Sequence, residues 1–231
     1  MRRVQVFEVN ETLLDLAAMD PHFQRMFGDA GIRLAWFNQM IQSALVATVT
    51  GAYSQFGALG MAALEMTAER AGVELADGDR EAVAAQMRQL PAHPEVAGAL
   101  GRLRAAGLRL AALTNSTEQV ARAQLEHAGL LDAFELVLSA DTVRRLKPAP
   151  EPYLMAAERL GVAVGDVRLI AAHAWDVAGA ARAGCATAFV ARPGKVLDPL
   201  VERPEIIGAN LAEVADAILT VDGVAGAPGP A

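Results

Sequence analysis

The chain opens on a short, dense apolar run in which Val4, Val6, Phe7 and Val9 supply the β-branched and aromatic weight of a buried strand. Asn10 marks its turn, so Glu8 stands at the carboxyl end of that strand. The pattern then changes period. Between 16 and 92 no strand-like alternation appears. Leu34, Phe37, Ile41, Leu45 and Thr48 recur at helical spacing, and Met61, Leu64, Glu65, Ala68 and Ala71 repeat the rhythm after Gly57 and Gly60. A further helix is predicted over 78–90, with Asp77 as N-cap and Pro91 and Pro94 beyond its end. From 95 onward helices alternate with strands: helices over 95–106, 116–128, 151–160 and 176–183, and strands over 108–113, 136–139, 167–172 and 187–191.

Strands separated by helices of this length imply parallel βαβ units with right-handed crossovers. The expected fold is therefore α/β: a Rossmann-like parallel sheet core formed by 1–15 and 93–221, with a helical cap subdomain of about four helices inserted over 16–92. An insert leaving from a strand's carboxyl end must stand over that edge, which places the expected site in the crevice between the two units. The Gly-, Ala- and Pro-rich stretch 222–231 is expected to be a disordered tail.

Composition narrows the classes. Hydrophobic residues make up 53% of 231 positions, enough for a substantial core, and the net charge of -7 disfavours nucleic acid or a membrane surface as partner. One cysteine, Cys185, excludes an intrachain disulfide framework and a multi-cysteine zinc site, and lies in an apolar stretch that predicts a buried, inert thiol. With no signal-peptide core and no long apolar window, the expected location is the cytoplasm.

The other strand ends repeat the abrupt change from apolar to polar seen at Glu8. Leu113 gives way to Thr114, Asn115 and Ser116, any of which could bind an anion at a helix N-terminus while Ser116 or Asn115 serves as N-cap. Lys147 precedes Pro148, Pro150 and Pro152, which stiffen the loop that carries it. After Ile170, Ala171 and Ala172 come His173, Ala174, Trp175 and Asp176. Carboxylate, hydroxyl, amide, ammonium and imidazole thus converge on one edge.

The run Phe7-Glu8-Val9-Asn10-Glu11-Thr12-Leu13-Leu14-Asp15, followed in order by Leu113-Thr114-Asn115-Ser116, Lys147-Pro148 and Ala174-Trp175-Asp176, resembles the haloacid dehalogenase superfamily, and in particular its L-2-haloacid dehalogenase (type II) branch. The resemblance implies a hydrolytic dehalogenase of short 2-haloalkanoic acids, working through a carboxylate nucleophile and an ester intermediate, with neither metal nor organic cofactor. It implies a catalytic set of Glu8 as nucleophile, Thr12 steadying the first loop, Lys147 pairing with the nucleophile, and Asp176 helping to activate water, with His173 standing where many relatives have asparagine. It implies a substrate-binding set of Asn10, Thr114, Asn115 and Tyr153, with Arg33 as receptor for carboxylate or halide and Trp175 as apolar wall. A homodimer is also implied, for which Leu45, Val46, Val49, Tyr53 and Phe56 could supply a face.

Two departures bear on the chemistry. The family's nucleophile is aspartate, and Glu8 adds a methylene that moves the carboxylate by about 1 Å, a displacement able to cost ~10²-fold in rate. Glu8 is thus a variant with repositioned substrate, an inactive relative, or an altered nucleophile. His173 could donate to fluoride or act as base for water. Asn10 stands where phosphatases of the superfamily carry a general acid, which points away from phosphoryl transfer. The competing expectations are a small-molecule phosphatase and a non-catalytic protein that binds small carboxylates.

Overall fold

The computed structural model describes residues 2–222. Six strands, β1 (Val4–Phe7), β2 (Leu110–Thr114), β3 (Leu136–Ser139), β4 (Val167–Ala171), β5 (Ala186–Val190) and β6 (Ile206–Gly208), form one parallel sheet in the order β3-β2-β1-β4-β5-β6. The order runs one way from β1 to β3 and the other way from β4 to β6. The crevice that such a reversal opens at the carboxyl edge lies between β1 and β4. Phe7 is level with Ala112 on one side and Ile170 on the other, so Glu8 emerges at the centre of that edge.

Strand residues are buried on both faces, as a sheet covered by helices requires. Phe7, Ala112 and Ile170 pack against α5 (Val96–Ala105), α6 (Glu118–His127) and α9 (Leu211–Val221). Val6, Leu113 and Leu169 pack against α7 (Pro150–Leu160) and α8 (Ala174–Ala183). Between β1 and α5 the chain forms α1 (Asp20–Phe27), α2 (Ile32–Thr50), α3 (Phe56–Ala71) and α4 (Asp79–Met87). The segments leading into and out of these four helices run side by side: Leu14 bridges Ala92, and Asp15 N–H donates to the Pro91 carbonyl at 2.8 Å. Trp36 of α2 donates its indole N–H to the Gly60 carbonyl of α3 at 2.9 Å. Gly60 allows this approach, since a Cβ there would lie 2.8 Å from the Met40 sulfur. Trp36 and Phe37 are both buried.

Several local expectations are corrected. The N-cap of α4 is Gly78 at φ 85°, and not Asp77; the Asp79 carboxylate instead accepts from Ala76 N–H at 2.8 Å. Neither Ser116 nor Asn115 caps α6, because Thr117 accepts from Val120 N–H. The short strand β6 and helix α9 went unpredicted. Of the residues offered as an oligomer face, Phe56 is turned inward, whereas Val46 and Val49 are exposed. Asp222, expected to begin a loose tail, is tied down, and the remainder of that expectation, 223–231, lies outside the described residues.

What ties Asp222 is Arg168, a fully buried charge in the middle of β4. Its guanidinium donates to Asp222 at 2.8 and 3.1 Å, to Glu205 at 3.0 Å and to Gln5 at 3.4 Å, joining the end of α9 to β1 and β4. Removing one partner of such a pair leaves a buried charge short of its counterion. Asp222→Ala should therefore lower stability by about 3 kcal/mol. Urea unfolding should show a lower midpoint at unchanged m value.

Candidate functional site

The site is built around Lys147. Its ammonium has three donors and finds three acceptors: Glu8 Oε2, Asp176 Oδ2 at 2.7 Å and the Leu113 carbonyl at 2.9 Å. Lys147, Glu8 and Asp176 are all buried. They come from three separate strand ends, after β3, β1 and β4. Asn115 fixes the lysine's backbone, accepting from Lys147 N–H at 2.8 Å and donating to its carbonyl at 3.4 Å. Gly179 of α8 lets the helix press against the same loop: a Cβ there would fall 2.5 Å from Pro148 Cβ and 2.6 Å from its carbonyl oxygen.

Each carboxylate has its second oxygen engaged. Glu8 Oε1 accepts from Asn10 N–H at 3.1 Å, and Asp176 Oδ1 accepts from the Tyr153 hydroxyl at 2.6 Å. Burial pushes the Glu8 carboxyl up, against the opposing charge of Lys147. Burial would pull the Lys147 ammonium down, but Asp176 and Glu8 outweigh it and hold it above its ordinary value. Burial, then Asp176, pushes the Tyr153 phenol up, so it remains a donor. Cys185 is buried with its thiol pushed up to about 12.

Thr12 accepts from Ala172 N–H at 2.9 Å, binding the first loop to the end of β4, and Thr114 accepts from Ser116 N–H at 3.2 Å. The Asn10 side-chain oxygen accepts from Gln124 of α6 at 3.1 Å. Gln124 also donates to the Met87 carbonyl at 2.6 Å, linking α6 to α4. His173 is stacked between Trp175, with ring centroids 5.1 Å apart, and Phe37 of α2, 5.8 Å away. Arg33 is spent elsewhere: its Nε lies 2.5 Å from Asp20 Oδ1, and it lines a separate cavity of 630 Å³ with Glu11, Arg192 and Lys195. The structure thus joins Glu8, Lys147, Asp176 and Tyr153 in one network, leaves Arg33 outside it, and uses Asn115 as a backbone clamp.

Two residues escaped sequence reasoning. Glu11 is buried, and its Oε2 receives His173 Nε2 at 2.8 Å and Lys195 Nζ at 2.6 Å. The strand-end argument would have found Lys195, since Val190-Ala191-Arg192-Pro193-Gly194-Lys195 is another apolar-to-polar break. Around the network lie two further cavities. One of 730 Å³ is walled by Trp36, Met40, Phe56, Met61, Met87 and Ser116, and one of 360 Å³ by Phe37, His173, Trp175 and Lys195. Glu8 lines neither and is 4% exposed. Among the described residues no three His, Cys, Asp or Glu side chains are grouped to hold a metal ion.

Burial alone would raise the Glu11 carboxyl, but His173 and Lys195 together hold it down at about 2. A lowered carboxyl stabilises the fold above its ordinary value of 4.5, and that contribution is lost as pH falls toward about 2. Glu11→Gln should cost about 2–3 kcal/mol at neutral pH, with the gap from the unaltered protein closing as pH falls below about 4. Urea midpoints of both proteins across this range check it.

A family model for haloacid dehalogenase-like hydrolases matches residues 6–184. Among curated relatives, (S)-2-haloacid dehalogenase 1 of Pseudomonas sp. (strain CBS-3) is 30% identical over 195 residues, 84% of this chain and 86% of that protein. Haloacetate dehalogenase H-2 of Moraxella sp. (strain B) is 26% identical, covering 89% of this chain and 93% of that protein. The structure of L-2-haloacid dehalogenase from Xanthobacter autotrophicus with chloropropionic acid covalently bound superposes with a TM-score of 0.87 at 25% identity, over 94% of this chain and 98% of that one.

Proposed function

Because the chain belongs to the haloacid dehalogenase-like hydrolases, we propose that it removes halogen hydrolytically from short 2-haloalkanoic acids, with Glu8 as the nucleophile. The observation that carries this reading is the Glu8–Lys147–Asp176 network at the centre of the sheet's carboxyl edge. A Glu8 oxygen attacks the carbon bearing halogen. A C–O bond forms, the C–halogen bond breaks, and halide leaves with the bonding pair. Water then hydrolyses the ester, which replaces one slow displacement by two easier steps.

Lys147 supports the first step by opposing, with its charge, the upward push of burial on the Glu8 carboxyl, and Asp176, held in turn by Tyr153, keeps the ammonium in place. Halide needs no proton to depart, so no general acid is required beside Glu8. The Asn10 side chain, an amide already bonded to Gln124, is no substitute for the acid that phosphate-ester cleavage needs, and this disfavours a phosphatase. Phe37 of α2 stacks on His173, so the helical unit lies against the loop after β4, beside the network.

The test is halide release from 2-chloropropionate in the presence of chelator. The unaltered chain should release halide, and Glu8→Gln should reduce turnover by at least about 10³-fold. Glu8→Asp separates geometry from chemistry: if it alone is active, the pocket is that of a dehalogenase and the longer side chain is the lesion. Activity retained by Glu8→Gln would refute the nucleophile.

A further inference from the structure

The three cavities differ in the charges that line them. The 730 Å³ cavity has one cation, Arg88, against two acids, Glu118 and Asp141. In the 630 Å³ cavity Arg33, Arg192 and Lys195 are balanced by Glu11, Asp15 and Glu95. The 360 Å³ cavity is lined by one cation, Lys195, and by no acid, so of the three it alone turns a net positive face to an anion. The remainder of its wall is largely apolar, with Phe37, Ile41 and Leu45 of α2 on one side and Trp175 on the other. A concave apolar wall with one lysine in it is complementary to a small carboxylate on a short carbon chain.

The ammonium is held in place from three sides. Arg192-Pro193-Gly194-Lys195 is a turn in which Lys195 N–H donates to the Arg192 carbonyl at 2.8 Å and Gly194 takes φ 77°. Proline second and glycine at positive φ third are what a type II turn demands, so the bend that presents Lys195 is written in the sequence. Arg192 anchors its start, donating to the Thr12 carbonyl at 2.8 Å and to Glu95 at 2.6 Å. Lys195 Nζ donates to Glu11 Oε2 at 2.6 Å and lies 5.7 Å from the centroid of the Phe37 ring. Its side chain is 22% exposed against 9% for Glu11, which does not line this cavity. Glu11 therefore fixes the ammonium from behind with one of three donors, and two are left for a ligand. Trp175, in the same wall, lies in sequence between Ile170, whose carbonyl accepts from Glu8 N–H at 3.0 Å, and Asp176, which binds Lys147.

We propose that Lys195 is the carboxylate receptor of this protein: on the reading that its substrates are 2-haloalkanoic acids, the substrate carboxylate pairs with the Lys195 ammonium while the carbon chain lies against Phe37, Ile41 and Trp175. The loop after β5 then sets the requirement for an acid, and the bond-breaking chemistry stays with Glu8. Arg33 does not compete for the role, since it is paired with Asp20 and does not line this cavity. A halogenated amide of the same size fills the same apolar space and gains nothing from the lysine, so Lys195 determines specificity by charge and not by shape.

The experiment compares binding of propionate, which has no halogen to lose, with that of neutral propionamide by NMR titration of the full chain, beside steady-state kinetics with 2-chloropropionate. The unaltered chain should bind propionate the more tightly. Lys195→Gln should weaken propionate by about 10- to 100-fold, the worth of a charge-assisted hydrogen bond, and leave propionamide as it was. KM for 2-chloropropionate should rise with a smaller fall in kcat, and Lys195→Arg, which keeps the charge, should restore most of both. Lys195→Gln also deprives Glu11 of a partner, and a merely structural effect of that loss would weaken both ligands alike. Equal weakening of the two, or propionate affinity unchanged in Lys195→Gln, would overturn the receptor, as would loss of propionate binding in Arg33→Gln alone. An unaltered chain that binds propionate no better than propionamide would overturn it whatever the fate of halide. Propionate binding that depends on Lys195, in a chain that releases no halide, would instead refute Glu8 as nucleophile and leave the receptor standing.

Discussion

A single buried ammonium governs the arrangement. Two carboxylates at the middle of a parallel sheet would not both remain charged in a dry site without a cation between them, and Lys147 supplies it with every donor satisfied. Burial first, and then the second negative charge on Asp176, keep the Glu8 carboxyl above its ordinary value despite the lysine. A carboxylate in that state is poorly solvated, and a poorly solvated anion is a reactive one.

The fold is what makes the pairing possible. Because β1 lies between β2 and β4, one short strand can face residues arriving from three directions, and the loop after β3 reaches across with Lys147 held by Asn115 on one side and α8 on the other. Helices α1 to α4 leave from the same edge, and Phe37 of α2 closes the space above His173. The second polar cluster, Glu11 with His173 and Lys195, stands beside the first and shares its loops.

Much of this was legible in the chain. Glu8 and Asp176 lie where apolar runs break into polar residues, and a parallel α/β pattern brings such breaks to one edge; Lys147 stood out by the prolines that follow it, and Tyr153 by the family resemblance alone. What was hidden depends on geometry that residue types do not announce. Asn10 also bonds Gln124 and Asn115 also clamps the Lys147 backbone, contacts that residue type does not announce. Arg33 finds its partner only 13 residues away in Asp20, whereas Glu11 finds Lys195 across 184. Nothing in the identity of Glu11 predicts its left-handed backbone, and nothing in the apolar run around Arg168 predicts a salt bridge to Asp222. Strand β6 has only three residues, too few to impose a pattern.

The central claim is that Glu8 becomes covalently bonded to substrate, and the fate of water's oxygen tests it most directly. In a single turnover with enzyme in excess in ¹⁸O-labelled water, the label should enter the Glu8 carboxylate, found in the peptide containing that residue, while the 2-hydroxy acid leaves unlabelled. Label in the product from the first turnover, with none on Glu8, would mean that water attacks the substrate itself, and the account would be contradicted.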